Sequence, residues 1–311
     1  MIRELATIAL TCLTVAACSP TAGGNASSVS STPPAGSANS TNLSSSQVLT
    51  AYGRTFATSN AFNVTTAQAA GIQGFASGPG LPNAALGASS FKTAVVTLSS
   101  DKKSLGIQIE GKTYNLKEMA APQVVTINGK NYTAYGFSAN GAIPTSGSRQ
   151  DAAVILNGQY ASLAAFLKNS SQTSPAPHNN DGFAVIATGG ETEVGRLPTQ
   201  VVNYGGSWYL VTSQTYDEGK FTAKVDFNAK NLAWSSTNSQ NLPSGSGTAT
   251  IDGNQFTGKV NFSGAIAGSG DLAGAFYGPN AEEMAGVVSG NVAVNGGASQ
   301  PVGGGFIGNK N

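Results

Sequence analysis

The chain has 311 residues, a formal net charge of +1 at pH 7 and only 10% charged residues. This balance gives no electrostatic basis for binding nucleic acid, and a single histidine, His178, excludes any site that needs two. Abundant Gly, Ser, Thr and Asn favour short strands and turns over helices.

The N-terminus has the pattern of an exported lipoprotein. Residues 1–17 combine a short start containing Arg3, an apolar run and the small-residue approach Val15-Ala16-Ala17, which predicts a signal peptide. Cys18 follows an aliphatic residue and two small residues, which is the lipoprotein pattern. This pattern predicts that diacylglycerol is attached to the Cys18 thiol before cleavage and that the cysteine also carries palmitate. The apolar run is too short to span a bilayer, whereas two or three acyl chains hold a protein firmly.

The cysteine count limits the chemistry of the rest of the chain. Cys12 is removed with the signal peptide and Cys18 carries the lipid, so the mature chain has no free thiol. Disulfides, zinc–thiolate sites and cysteine nucleophiles are therefore not expected.

Residues 18–47 are predicted to form a disordered tether. They consist almost wholly of Ser, Thr, Ala, Gly, Asn and Pro, and no charge occurs between Glu4 and Arg54. Either the tether holds a folded domain at a distance from the membrane, or it is a neutral linker whose length has no specific role. Ser44–Ser46 predict the cap of a short helix that runs through Tyr52 and Phe56.

A first folded domain, sheet-rich and small, is predicted over residues 48–189. Its strongest signal is Asn128-Gly129, a two-residue hairpin turn. Tyr160–Lys168 fits the helical and the strand period equally well, so its structure stays open. We place the domain boundary at Gly189-Gly190, after a polar loop. Short β-branched runs predict further strands at Ala94–Leu98, Leu105–Ile109 and Val124–Ile127.

Residues 190–311 carry the clearest strand patterns. Apolar residues alternate with polar ones from Phe221 to Asn228, as in a strand buried on one face. Asp252-Gly253 predicts a second hairpin, which turns Thr248–Ile251 into the alternating run from Phe256 to Phe262. An up-and-down barrel is the natural closure, because it leaves no exposed strand edge. Further segments are predicted at Asp271–Tyr277, Glu283–Val292 and Val302–Gly308.

Several motifs in this region resemble those of one known family, the barrels of the transferrin-binding protein B type. In that family Leu-Pro precedes a strand that ends in Tyr-Gly and then Trp. Further motifs agree in order along the chain. The matching residues are Arg196-Leu197-Pro198-Thr199, Val202–Trp208, Val225-Asp226-Phe227, Gly274–Pro279 with Ala281, Glu282, Glu283 and Gly286, and Val302–Gly308.

The resemblance implies a mainly β protein, with an eight-stranded antiparallel up-and-down β-barrel over residues 190–311 and a handle-like domain before it. The family includes transferrin-binding protein B, factor H-binding protein and the hemophilins, which share binding rather than catalysis. Transferrin-binding protein B has two lobes and is longer, so this single-lobe chain need not bind transferrin. The family's ligand contacts lie in variable loops and none can be carried over.

Few residues qualify as site candidates. His178, in a polar loop, and Tyr132 and Tyr135, on the Asn-Gly hairpin, are candidate haem ligands, although a solvated loop histidine and core tyrosines are the simpler interpretations. Glu191 and Glu193 are too few to indicate a metal site. Packing explains the barrel motifs: we expect Phe276 and Phe306 to fill the barrel, Gly278-Pro279 to make a turn and Trp208 to cap or line the core.

These observations predict a binding protein without catalytic residues, metal or resident cofactor. We expect a lipid-anchored protein of the outer membrane, at the cell surface or facing the periplasm, that captures a host protein, haem or another solute. Delivery to a TonB-dependent outer-membrane transporter is the predicted next step. The alternative is an adhesion, immune-evasion or structural envelope lipoprotein without small-molecule cargo.

Overall fold

The computed structural model describes residues 49–50, 67–73, 90–99, 101–109, 112–144, 148–170, 182–211, 216–238 and 243–311. Most of these residues lie in β-strands, as the composition predicts. The signal peptide and the tether lie outside them, as do Tyr52 and Phe56 of the predicted helix. Within the span of that helix, Leu49–Thr50 form a short strand, because they pair with Thr97 and Leu98, so the helix prediction is wrong at these two residues. In the described part of the chain, no helix is long and apolar enough to cross a membrane.

An antiparallel sheet forms the N-terminal part of the described chain. The order of its strands in space is β1-β3-β2-β9-β8-β7-β6-β5-β4, and β3 also pairs with β4, so the sheet curls round on itself. Such curling leaves few unpaired edges. The strands are β1 (Leu49–Thr50), β2 (Ala67–Gln73), β3 (Ser90–Leu98), β4 (Ser104–Ile109), β5 (Lys112–Ile127), β6 (Lys130–Ser138), β7 (Gln150–Asn157), β8 (Ala161–Ser170) and β9 (Gly182–Gly189).

The predicted Asn-Gly hairpin is present between β5 and β6. Ile127 pairs with Lys130, and both loop residues have positive φ, 46° at Asn128 and 72° at Gly129. Positive φ at both positions matches a type I′ turn, whose twist suits paired strands.

The open segment Tyr160–Lys168 is strand rather than helix over Ala161–Ser170. Leu163 and Ala165 belong to one apolar cluster, whereas Ala164 and Phe166 belong to another. The strand is therefore buried on both faces. This double burial removes the polar alternation that identifies a strand, which is why periodicity leaves the choice open.

A closed eight-stranded antiparallel barrel follows the sheet, which confirms the predicted mainly β fold with an up-and-down barrel. Each strand pairs with its sequence neighbours, and β10 pairs with β17 to close the ring. The strands are β10 (Val201–Val211), β11 (Tyr216–Asp226), β12 (Asn231–Asn238), β13 (Pro243–Asp252), β14 (Gln255–Phe262), β15 (Ile266–Tyr277), β16 (Glu283–Val294) and β17 (Ser299–Lys310).

The second predicted hairpin is confirmed, with its turn one residue later than expected. Asp252 pairs with Gln255, so the loop residues are Gly253 and Asn254 rather than Asp252 and Gly253. Gly253 has φ of +60°, and glycine adopts this left-handed conformation without the steric cost that a side chain brings.

Aromatic side chains fill the barrel. Phe276 and Phe306 are fully buried and Trp208 is nearly so, as the sequence predicts. Nine buried aromatic side chains belong to this cluster. They are Tyr204, Trp208, Phe221, Phe227, Trp234, Phe256, Phe262, Phe276 and Phe306.

Candidate functional site

The barrel interior is a packed core. The rings of Phe221 and Phe306 have centroids 5.1 Å apart, those of Phe256 and Phe276 5.3 Å, and those of Trp234 and Phe306 6.0 Å. These are separations at which aromatic rings pack favourably in contact. Because side chains fill the interior of a small barrel, a partner has to be bound on the outside.

One end of the barrel is closed by the segment that enters it from the sheet. After β9, residues 190–200 cross this end, with a 3₁₀ turn at Val194–Arg196. The Thr192 N–H donates to the carbonyl of Phe276 at 2.9 Å, and its hydroxyl donates to the carbonyl of Gly278 at 2.7 Å. Leu197 packs against the barrel core.

We call this region the capped end. It comprises residues 190–200, the first residue of β10, Val201, and the three adjacent barrel turns, β11–β12 (227–230), β13–β14 (253–254) and β15–β16 (278–282). Turns and loops on a rigid scaffold are where proteins most often carry binding residues.

The carboxylates of the capped end are engaged locally. Glu191 accepts hydrogen bonds from the Asn254 side-chain amide at 3.1 Å and from the Gln255 amide at 3.3 Å. Glu193 pairs with Arg196 at 3.4 Å on the surface. Within the described residues, no group of three His, Cys, Asp or Glu side chains is placed to hold a metal ion.

Two exposed valines stand out at the capped end. Val194 is 59% exposed and lies beside the β13–β14 turn, and Val201 is 44% exposed and pairs with Asp226 at the start of the barrel. The third large exposed apolar residue among those described, Val124, lies on the sheet. Single exposed apolar side chains are common on protein surfaces, so these two valines support a binding role only together with the turns around them.

The β15–β16 turn holds an unusual backbone conformation. Ala281 has φ of +56°, a left-handed value that costs about 1–2 kcal/mol for a residue with a side chain. The buried hydroxyl of Tyr204 donates to the Ala281 carbonyl at 2.7 Å and holds the turn in place. Strained turns that the surrounding structure maintains occur most often at functional sites.

The C-terminal residues join the same end. The Lys310 ammonium donates to the Asn280 carbonyl, and Asn280 in turn donates from its backbone and side chain to Glu282, both at 2.9 Å. Partial burial lowers the pKa of Lys310, an effect that the charge of Glu282 opposes. Asn128 of the sheet hairpin donates to the Asn311 side chain at 2.6 Å, so a sheet turn also meets this end.

The sheet packs on the outside of the barrel through an apolar contact. The cluster draws on β5–β9 of the sheet and on β10 and β15–β17 of the barrel. Both sides combine large apolar side chains with alanines. The buried members are Ile127, Tyr132, Ala134, Leu156, Ala161, Leu163, Ala165, Val185 and Ala187 from the sheet, and Tyr209, Ala273, Ala275, Tyr277, Ala285, Val287 and Ile307 from the barrel.

A buried carboxylate lies at the edge of this contact. Glu283, the first residue of β16, is 6% exposed and accepts hydrogen bonds from three consecutive backbone N–H groups of the sheet. The donors are Gln159 at 3.1 Å, Tyr160 at 2.8 Å and Ala161 at 2.7 Å. Charge-assisted bonds of this kind are stronger than bonds between neutral groups.

The same sheet turn brings a tyrosine to the capped end. Tyr160 is partly exposed, its hydroxyl accepts from the Gln159 amide at 2.9 Å, and its ring lies against Gly278. Partial burial, followed by the charges of Glu282 and Glu283, raises its pKa. Tyrosine is enriched in protein interfaces, so Tyr160 extends the candidate surface onto the sheet.

The tyrosines considered as haem ligands point away from each other. Tyr132 lies in the sheet–barrel contact, whereas Tyr135 packs against the sheet interior and stacks on Phe137 with ring centroids 6.5 Å apart. Burial, and then the nearby charge of Glu283, raises the pKa of Tyr132, which keeps the phenol protonated. The structure therefore does not bring these two side chains together. His178 and the lipidation candidate Cys18 lie outside the described residues.

Sequence reasoning missed Glu283 and Tyr160 as contact residues. The available signal was a glutamate beginning an otherwise apolar run, Glu283 to Val288. A charge in such a run requires a specific partner, because burial of an unpaired charge is costly. The partner is a turn more than 120 residues earlier in the chain, which no local pattern reveals.

The fold and this surface define a class: two packed β units with filled cores and a turn-rich end that presents polar and apolar side chains. Residues 197–310 match the family model of the C-lobe and N-lobe β-barrels of transferrin-binding protein B. This match confirms the resemblance that the barrel motifs indicate, and the segment is a barrel of that type.

Individual proteins are similar over limited stretches. The Neisserial heparin binding antigen of Neisseria meningitidis serogroup B is 33% identical over 114 residues, which are 35% of this chain and 22% of that protein. The chain thus matches only about a fifth of that relative's length.

Solved structures of transferrin-binding protein B are more distant. A double mutant from Haemophilus parasuis Hp5 has 19% identity and a TM-score of 0.44, covering 70% of this chain and 51% of that one. The isotype 1 protein from serogroup B Neisseria meningitidis has 14% identity and a TM-score of 0.40, covering 86% and 84%.

Proposed function

We propose that this chain is a lipid-anchored binding protein of the bacterial outer membrane, held by Cys18, that captures a host protein at the capped end of its barrel. The observation that carries the proposal is the match of residues 197–310 to transferrin-binding protein B barrels, together with a barrel interior that its own side chains fill. Capture on the surface follows, because the interior has no room for a partner.

The charge balance of the barrel favours a protein over a sulfated polysaccharide as the partner of the capped end. The similar Neisserial protein is named for heparin, which is a polyanion. Residues 191–311 of this chain contain six Lys and Arg residues but nine Asp and Glu residues, whereas residues 48–190 contain nine and five. The net acidic balance therefore disfavours a polyanion at the barrel, where the exposed valines of the capped end suit contact with a folded protein.

Haem capture and delivery of a cargo to a TonB-dependent transporter stay predictions of the family resemblance. Tyr132 is buried in the sheet–barrel contact and Tyr135 is partly buried against the sheet interior, so the capped end, which contains neither, is the surface on which we base the proposal of host-protein capture. An adhesion or immune-evasion role is compatible with the same surface. The identity of the captured protein separates these outcomes.

The binding test uses a soluble form that begins at Ser19 and so lacks the lipidated Cys18, immobilised and exposed to host serum. Val194→Asp together with Val201→Asp places charge on the capped end, and we expect at least a tenfold loss of affinity for the captured protein. The matched control is Val124→Asp, since Val124 is 68% exposed and lies on the sheet. Equal affinity of the capped-end variant and the control would contradict this location. Retention of heparin but of no serum protein would contradict the choice of partner.

The location is tested on cells that express the full chain. We expect added protease to degrade the protein on intact cells, and Cys18→Ser to release it from the membrane fraction. Protection on intact cells with degradation after lysis would place the protein on the periplasmic face. Retention of the Cys18→Ser protein in the membrane would exclude Cys18 as the anchor.

A further inference from the structure

We propose that Glu283 is a positioning residue that sets the register between the sheet and the barrel, and thereby the shape of the capped end. This inference rests on the proposed function, because it concerns how the same binding surface is built.

The first observation is the chemistry of the Glu283 site. Glu283 is the only buried carboxylate among the described residues, and no cation pairs with it there. Its charge is stabilised instead by the three N–H groups of Gln159, Tyr160 and Ala161. Such bonds are directional, so the carboxylate has one favourable position relative to the turn.

The second observation is that the turn is shaped around this carboxylate. A Cβ at Gly158 would lie 2.7 Å from the Tyr132 ring and 2.8 Å from each carboxylate oxygen of Glu283. Only a residue without a side chain fits this position without a shift of its neighbours. The glycine therefore permits the close approach of sheet and barrel here.

The third observation is that the neighbouring contact between sheet and barrel is apolar. Its barrel side combines three alanines with larger side chains, namely Ala273, Ala275, Ala285, Tyr209, Tyr277, Val287 and Ile307. Apolar burial is roughly proportional to area and non-directional. The three N–H bonds to Glu283 therefore add a directional constraint that apolar burial does not supply.

The consequence concerns the binding surface. The same turn carries Tyr160, which lies against Gly278 at the capped end. A change in register would move Tyr160 relative to the valines of the barrel, Val194 and Val201. The surface is thus composed of two units, and Glu283 fixes their relation.

The experiment measures this relation directly. The chain contains two cysteines, Cys12 and Cys18, so the soluble form that begins at Ser19 has none and can carry two spin labels at chosen sites. Exposed Thr113 on β5 and exposed Thr248 on β13 place one label on each unit. We expect one narrow distance distribution for the otherwise unchanged chain.

The decisive variant is Glu283→Gln, which keeps the shape but replaces one acceptor oxygen with an NH₂ donor that faces N–H groups. We expect the distance distribution to broaden or shift, and the amides of Gln159, Tyr160 and Ala161 to exchange hydrogen at least tenfold faster. Asp271→Asn is the matched control, because it removes one carboxylate from a neighbouring barrel strand on the exposed face. The control should leave both measurements unchanged.

A second variant approaches the site from the sheet. Gly158→Ala should displace the carboxylate and broaden the distribution in the same way. An unchanged distribution in Glu283→Gln would overturn the proposal. So would loss of the folded barrel in either variant, since Glu283 would then serve folding rather than register.

These measurements need no partner. A failure to capture any serum protein would overturn the proposed function but leave the role of Glu283 standing. An unchanged label distance in Glu283→Gln would overturn the role of Glu283 but leave the proposed function standing. The proposed function and the role of Glu283 are therefore contradicted by different results.

Discussion

The barrel and the sheet bury their apolar side chains in different ways. The barrel encloses a core with nine buried aromatic side chains, whereas the sheet interior contains two, Phe137 and Phe166, among aliphatic residues. The barrel core is complete within the ring. The sheet has apolar residues on both faces, and its second face is covered only by the outside of the barrel.

This difference indicates that the barrel is the more independent unit, because its aromatic core stays enclosed within the ring when the two units separate. Without the contact, Leu163 and Val185 of the sheet would face water, and so would Tyr209 and Ile307 of the barrel. Burial of an aliphatic side chain contributes about 1.5–3 kcal/mol, so both units lose stability on separation. Four substitutions test this comparison, from the largest expected effect to the smallest.

The largest effect is expected in the barrel core. Trp208→Ala removes a ring that contacts Trp234 and leaves a cavity, at a cost of about 3–5 kcal/mol in the free energy of unfolding. Denaturant unfolding followed by tryptophan fluorescence measures the change. Ser235→Ala, on the exposed face of β12, is the control and should change stability little. A loss below 1 kcal/mol would contradict a tightly packed interior.

A smaller loss is expected in the sheet–barrel contact. Leu163→Ala should cost about 2–4 kcal/mol, because Leu163 is buried against the barrel in that cluster. Hydrogen exchange should show faster opening of β8 and β9 while the barrel interior stays protected. Equal loss of protection in both units would show that they unfold together.

The third substitution tests the close approach of the two units. A Cβ at Gly305 of the barrel would lie 2.6 Å from Val185 Cγ1 and 2.9 Å from Leu163 Cδ1, so Gly305→Ala should cost about 1–3 kcal/mol. Thermal unfolding measures this loss. Gly195→Ala is the matched control, since nothing lies within 4 Å of its Cβ position. If both alanines had the same effect, the contact at Gly305 would be looser than the distances indicate.

The smallest effect is electrostatic and lies on the sheet surface. A hydrogen bond from the Ser99 hydroxyl, followed by one from the Lys103 N–H, lowers the pKa of Asp101. A lowered pKa stabilises the folded state above the ordinary pKa of the carboxyl, and this stability is lost as the pH falls through the folded value.

Ser99→Ala should therefore raise the pKa of Asp101 towards its ordinary value. Titration of the Asp101 carboxyl by NMR measures this pKa, with Ser235→Ala as the control. An unchanged titration would mean that the hydroxyl does not hold the carboxylate.

Much of the barrel was predictable because its strands have one solvent-exposed face and one buried face. The alternation from Phe221 to Asn228 and the glycine of the second hairpin specify strand and turn locally. The same reasoning was insufficient for β8, where Ala164 and Phe166 face one core while Leu163 and Ala165 face another. Burial on both faces erases the local signal.

The candidate surface was less predictable than the fold. Leu197 and the Gly278-Pro279 turn were recognisable as motifs in the sequence. That they lie together at one end of the barrel was not. Tyr132 and Tyr135 are close in sequence yet face opposite sides of β6, which only the register shows.

The sequence by itself determined the mainly β class, the type I′ hairpin at Asn128-Gly129 and the barrel with its aromatic interior. These features depend on residues close in sequence, through alternation and turn geometry. The tertiary structure alone decided that the sheet packs on the barrel and that Glu283 meets the N–H groups of a distant turn. Long-range pairing depends on shape and on direction in three dimensions, and a linear pattern contains neither.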